Sequence, residues 1–440
     1  MTKKRTFPEL TVRFRTWWEG VSTSYWFIPV CMMLTSFLLC YLCLSYIQRA
    51  TLPEYLLTLT PIVTQAGAQQ ILSTIATSII TATSIAFSMT IVALTMASSQ
   101  FGPRLLRTFM LDRGTQWVLG LLVSTFVFCL ISLHHLSSID ENTDALSILS
   151  GISVIMGVAD IFAIIFFIHH IGRFIQADEV IYRCYNELMN NIDELLPKPE
   201  DAPREQPVPS AFLQSSACQI EIPMQKSGYI QTVNYEKLLS TQLEGLEGIE
   251  IRARSGDYAF PDATIMVIHS RYQKPVEYYK GLLELVILGN RRTPVQDPEF
   301  AISQMVELAL RALSAGINDP QTAISCLDRL TASCIYMGQR SFPADCVINR
   351  ETGIWIKRRT FSIEGIINTA FDQIRQAGEG HVDIALHIMF CLQTLMKHLP
   401  DRLHPLLRQQ AKSTYEIIIE STINKQDLKT LENAYLPFKD

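Results

Sequence analysis

A single carboxylate, Asp160, stands in the middle of a long apolar run of this 440-residue chain. A charge at bilayer depth is costly, so such a residue normally faces a bundle interior or a cavity and finds a donor there. Ser153 and Gly157 share its helical face. Two chemistries fit: an ion or proton-transfer site, or a protonated Asp160 bonded to a hydroxyl of a neighbouring helix. A second polar feature lies in another apolar run. At about 100° per residue, Ser73, Thr77, Thr81, Ser84, Ser88 and Thr95 fall in one stripe roughly 80° wide. Small hydroxyl residues serve close helix packing. They also suit the lining of a water-filled path, which one helix per subunit can enclose only in a homo-oligomer.

Four basic groups sit where the apolar runs end. Arg104 and Arg107 lie one turn apart after the helix break at Gly102-Pro103, and His169 and His170 close the last apolar run. Contact with anionic headgroups or the membrane interface suits all four. Further along, Arg311, Asn318, Asp319 and Thr322 mark a candidate functional patch. Asp319 and Pro320 there also read as an N-cap and a first helical residue. Asp297, Glu307, Asp319 and Asp328 are the only carboxylates of interest for an enzyme, and no nucleophile or phosphate-loop pattern accompanies them. Cys40-x-x-Cys43 lies in an apolar helix without a second pair. His381, His387, His398 and His404 are too dispersed to propose as ligands, so no metal and no cofactor is expected.

The elements that carry these residues follow from composition and patterning. Hydrophobic residues make up 48% of the chain and charged ones 18%, less charge than soluble domains usually carry. The excess is concentrated before residue 175. Four runs approach the roughly 20 residues that a bilayer-spanning helix needs: Tyr25 to Ile47, Ile71 to Ala97, Gln116 to Leu133 and Leu146 to Ile171. Lys3, Lys4, Arg5, Arg13 and Arg15 precede the first run, and Arg104, Arg107 and Arg113 lie between the second and third. The loop before the fourth holds Asp140, Glu141 and Asp144 without a basic residue. The bias places both termini in the cytoplasm. A net charge of -5 argues against nucleic acid as a partner, and the ten cysteines read as free thiols.

The expected fold is therefore a membrane α-helical domain of four transmembrane helices followed by a cytoplasmic α+β region. Residues 1–24 form a cytoplasmic segment, 25–172 the membrane domain, and 173–209 a helical extension with a Pro-rich linker. Strand-like runs with turn signals at Ser227-Gly228 and Ser255-Gly256-Asp257 predict a small β-barrel or sandwich over 210–272. One helix is expected from Glu236 to Leu246, and amphipathic helices fill most of 273–440.

Several short segments resemble a bacterial family of predicted membrane proteins, domain of unknown function 2254. They are Ser99-Gln100-Phe101-Gly102-Pro103-Arg104, Phe167-Ile168-His169-His170-Ile171, Ser255-Gly256-Asp257-Tyr258, Arg292-Thr293 with Gln296-Asp297, and Arg311 to Ala323. The resemblance spans nearly the whole chain, with departures at Gly102 and Ala315. It implies a bacterial inner-membrane setting and the order transmembrane, β, helical, and brings no reaction with it. The leading expectation is a homo-oligomeric ion or small-solute channel or transport-like assembly with a cytoplasmic regulatory region. Its partners are membrane lipids and further copies of itself. The alternative is a membrane-anchored sensor or scaffold that binds a ligand or protein through its cytoplasmic domains.

Overall fold

The computed structural model describes residues 24–49, 63–102, 112–136, 143–174, 176–200, 218–421 and 424–439. The basic N-terminal segment, Arg104 and Arg107, the acidic loop at 140–142 and most of the Pro-rich linker lie outside them. The chain divides into two compact units, Met1–Glu179 and Val180–Asp440.

The first unit is built from α1 (Phe27–Arg49), α2 (Gln65–Phe101), α3 (Arg113–Leu136) and α4 (Thr143–Phe174). Three of them are long and apolar enough to cross a membrane: Gln65–Phe101, Arg113–Leu136 and, within α4, Leu146–Arg173. The apolar stretch of α1, Phe27–Cys43, is shorter. Helix α3 packs on α1, α2 and α4. Helix α2 turns Ala68, Leu72, Ala76, Ile79, Thr83, Ala86 and Thr90 inward. This spacing of three and four keeps one stripe on the bundle. It ends as its sequence requires, at Gly102, whose φ of +94° suits a residue without a Cβ.

The membrane run does not continue into the following polar segment as one helix. Helix α4 stops at Phe174, and α5 (Ala177–Leu195) starts afresh with Asp178 and Glu179 in its first turn, where the helix dipole favours acids. Helix α4 exposes Ile155, Val158, Ile161, Phe162, Ile165 and Phe166, whereas α5 buries only Val180, Ile181, Cys184, Leu188 and Ile192. The two stretches answer different environments.

In the second unit, β1 (Cys218–Pro223), β5 (Thr264–Ser270), β3 (Leu246–Ile251), β8 (Trp355–Arg358) and β7 (Cys346–Ile348) form one sheet in that order. A second sheet pairs β4 (Tyr258–Ala259), β2 (Gly228–Val233) and β6 (Val286–Gly289). Ile222, Ile249, Met266 and Ile356 of the first sheet share one apolar core with Ile230, Val233 and Val286 of the second. Strand β8 runs parallel to β3, with Trp355 opposite Gly248. The helix expected from Glu236 to Leu246 is a single turn, Tyr235–Leu239, because the chain needs Leu246 onward for β3.

Among the described residues, the longer helices that follow are α6 (Pro298–Ala312), α7 (Pro320–Gly338), α8 (Ile363–Ala377), α9 (Val382–His398), α10 (His404–Ser421) and α11 (Lys425–Tyr435). Asp297, Asp319, Ser362 and Asn424 accept backbone N–H groups at the starts of α6, α7, α8 and α11, as N-cap side chains do.

Candidate functional site

The family-like segments Ser255-Gly256-Asp257 and Arg292 to Asp297 meet in space. Asp297, fully buried, accepts from Phe300 N–H through Oδ1 at 3.1 Å, capping α6. Its Oδ2 accepts from Arg292 Nε at 2.9 Å and Nη2 at 2.6 Å. Burial pushes the Asp297 carboxyl up, against the pull of Arg292. The turn at Gly256 rests on this pair, its φ of +93° open to glycine at no steric cost. Ser255 Oγ donates to the Gln231 carbonyl at 2.7 Å. Gln296 holds both polar groups of Val233, accepting from its N–H at 2.9 Å and donating to its carbonyl at 3.2 Å. The two segments therefore lock β2, the 255–257 turn and the start of α6 together.

Beside this lock lies a cavity of about 300 Å³, at the small end of ligand-binding pockets. Leu195, Pro197, Phe342, Pro343 and Phe361 give it an apolar body. Arg254, Arg358 and Arg359 also line it, and among the described residues no carboxylate does. Each guanidinium is held. Arg254 lies 4.2 Å from the Phe361 ring centroid and donates to Glu299 at 2.7 Å. Arg358 donates to the Ala344 carbonyl at 3.0 Å and lies 4.8 Å from the Tyr235 ring. Arg359, the most exposed, reaches Asp257 at 3.1 Å. Burial pushes the Tyr235 phenol above its ordinary value while Arg358 pulls it down, so it meets the cavity as a neutral hydroxyl. Stacked, pre-oriented guanidinium groups suit carboxylate or phosphate oxygens, which they bind bidentately.

The residues expected to act inside the membrane separate into two groups. Asp160 is fully buried in the bundle. Its carboxylate faces the Thr125 hydroxyl of α3, and no other group of the described residues reaches either carboxylate oxygen. Thr77, Thr81, Ser84, Ser88 and Thr95 are exposed, on the side of α2 turned away from the bundle. Thr81, Ser84 and Thr95 donate to carbonyls one turn back in their own helix. The stripe and the carboxylate therefore do not form one polar face within a chain.

His169 is exposed. His170 instead contacts Asp112 Oδ2 at 2.7 Å, and Asp112 also accepts from the Thr115 N–H and hydroxyl at 2.9 and 2.8 Å. That contact ties the end of α4 to the start of α3. Arg311, Asn318, Asp319 and Thr322 form a helix–turn–helix joint. Asp319 takes the Thr322 amide at 3.1 Å and its hydroxyl at 2.6 Å, and Asn318 turns the chain at φ +48°. Arg311 reaches back to Glu307 at 3.4 Å. None of the four lines the cavity.

The family model of predicted membrane proteins, domain of unknown function 2254, matches residues 22–394. The chain belongs to that family. Uncharacterized proteins of Mycobacterium bovis and Mycobacterium tuberculosis are 30% identical to it over 325 residues, 72% of this chain and 61% of theirs. The chain thus spans about three fifths of the length of these curated relatives. No solved structure matches it. The 255–258 and 292–297 segments that carry the family resemblance form the lock beside the cavity, but Arg254, Arg358 and Arg359 emerge only from the fold. Their one signal in sequence is adjacency: Arg254 precedes Ser255, and the other two follow strand-like Trp355-Ile356.

Proposed function

We propose that this family member is a membrane-anchored binding protein whose second unit holds a small organic anion. The observation that carries the reading is the cavity walled by Arg254, Arg358 and Arg359 over an apolar body. A ligand with a carboxylate or phosphate on a compact apolar skeleton satisfies both parts. Three spans plus α1 make a four-helix anchor in the bacterial inner membrane, with both termini and the second unit in the cytoplasm, as the basic loops favour. The two sheets sharing one core make a small sandwich that presents the cavity. Helix α5 ends at the cavity wall with Leu195. Native mass spectrometry of the detergent-purified full chain tests the reading with phenyl phosphate as probe. One bound anion is expected, retained at lower occupancy in Arg359→Gln; equal retention in both proteins refutes it.

A second reading has its own support. Thr77, Thr81, Ser84, Ser88 and Thr95 are turned away from the bundle, and a homo-oligomer with α2 at its axis would line a path with them. Charged substitutions at Ser84 or Ser88 then change ion flux in liposomes. Flux indifferent to them removes this reading.

A further inference from the structure

Outside the cavity, the folded helical region brings three different donor types to one place. Asp328 lies on α7, and His387 and Cys391 lie one turn apart on α9, a spacing that puts both on one face. Helices α7 and α9 pack together. Asp328 Oδ1 and His387 Nε2 are 2.7 Å apart, and the oxygen, nitrogen and sulfur donors all lie within 4.8 Å of one another. Access is graded: Asp328 is exposed, His387 half-buried and Cys391 1% exposed. A nucleophilic reading of Cys, His and Asp fails on that gradient, because the sulfur is the one group a substrate does not reach.

The gradient suits an ion that enters past the carboxylate and imidazole and seats against the sulfur. We infer that Asp328, His387 and Cys391 bind a divalent transition-metal ion of the zinc type. Imidazole and thiolate together select this class over magnesium or calcium. Three protein ligands leave a fourth position for water. With metal–ligand lengths of about 2.0 Å to nitrogen or oxygen and about 2.3 Å to sulfur, tetrahedral donors stand roughly 3.3–3.7 Å apart. The Asp–His contact therefore opens by about 0.6 Å and the sulfur closes in by up to about 1.3 Å. Exposed Asp328 can move to allow this. The ion would cross-link α7 to α9.

Cobalt(II) reports such a site directly. The full chain, purified in detergent and stripped with a chelator, is titrated with Co²⁺ and followed by absorption. The expected result is a near-ultraviolet thiolate-to-cobalt charge-transfer band that saturates at one ion per chain and is bleached by Zn²⁺. The band is lost in Cys391→Ser, and Asp328→Asn, at an exposed position that leaves the core intact, weakens Co²⁺ binding about tenfold. A folded wild-type chain without the band, a band that survives Cys391→Ser, or undiminished affinity in Asp328→Asn overturns the assignment.

Discussion

The turn at Gly256 is fitted to Asp297: a Cβ added there would enter the carboxylate's Oδ2 and stand 3.0 Å from Arg292 Nη2. Because φ is also +93°, Gly256→Ala combines backbone strain with a clash against a buried ion pair. The expected cost is about 3 kcal/mol, read as a lower thermal midpoint. An unchanged midpoint would show that the pair yields without loss.

The two capping carboxylates should behave unequally. Asp319→Ala removes a half-buried cap and costs about 1 kcal/mol. Asp297→Ala also takes a fully buried carboxylate away from Arg292, whose side chain is 32% exposed, so its cost is larger, about 2–3 kcal/mol. Thermal midpoints of the two variants check the order; equal effects contradict it.

Asp160 gives the opposite sign. Its carboxylate is buried with only the Thr125 hydroxyl in reach among the described residues, so Asp160→Asn or Asp160→Leu relieves a burial cost. The midpoint in detergent should rise, by the equivalent of about 1–2 kcal/mol. A fall in both variants would mean that the carboxylate makes contacts essential to the bundle.

Asp112 supplies a pH dependence. Burial alone would push its carboxyl up, but the Thr115 amide, His170 and the Thr115 hydroxyl together hold it below its ordinary value. A folded value below the unfolded one stabilises the protein at pH above the ordinary carboxylate range. That contribution fades as the pH falls through the lowered value. Melting from about pH 6 down to about pH 3 should show a steeper acid loss in wild type than in Asp112→Asn. Parallel profiles would remove Asp112 from the account.

Local signals were readable in the sequence, and long-range ones were not. Asp319 with Pro320, and Gly102 before Pro103, act within one helical turn, so residue type alone places them. The hydroxyl stripe of α2 was visible as a period, but periodicity does not say which side faces the bundle. Ala68, Leu72, Ala76 and Ala86 took that side because small and apolar residues let α3 and α4 approach. The parallel pairing of β8 with β3 joins residues more than a hundred positions apart, and the same pairing gathers Arg358 and Arg359 with Arg254. His387 was dispersed among other histidines until α7 and α9 packed and brought it to Asp328.

Isothermal titration of the full chain in detergent with phenyl phosphate, beside inorganic phosphate and the Arg359→Gln variant, tests the central claim most directly. The expected result is one site per chain that prefers phenyl phosphate to the inorganic ion, weakened about tenfold in Arg359→Gln. No binding of either anion, or binding that the substitution leaves untouched, would contradict an anion-holding cavity.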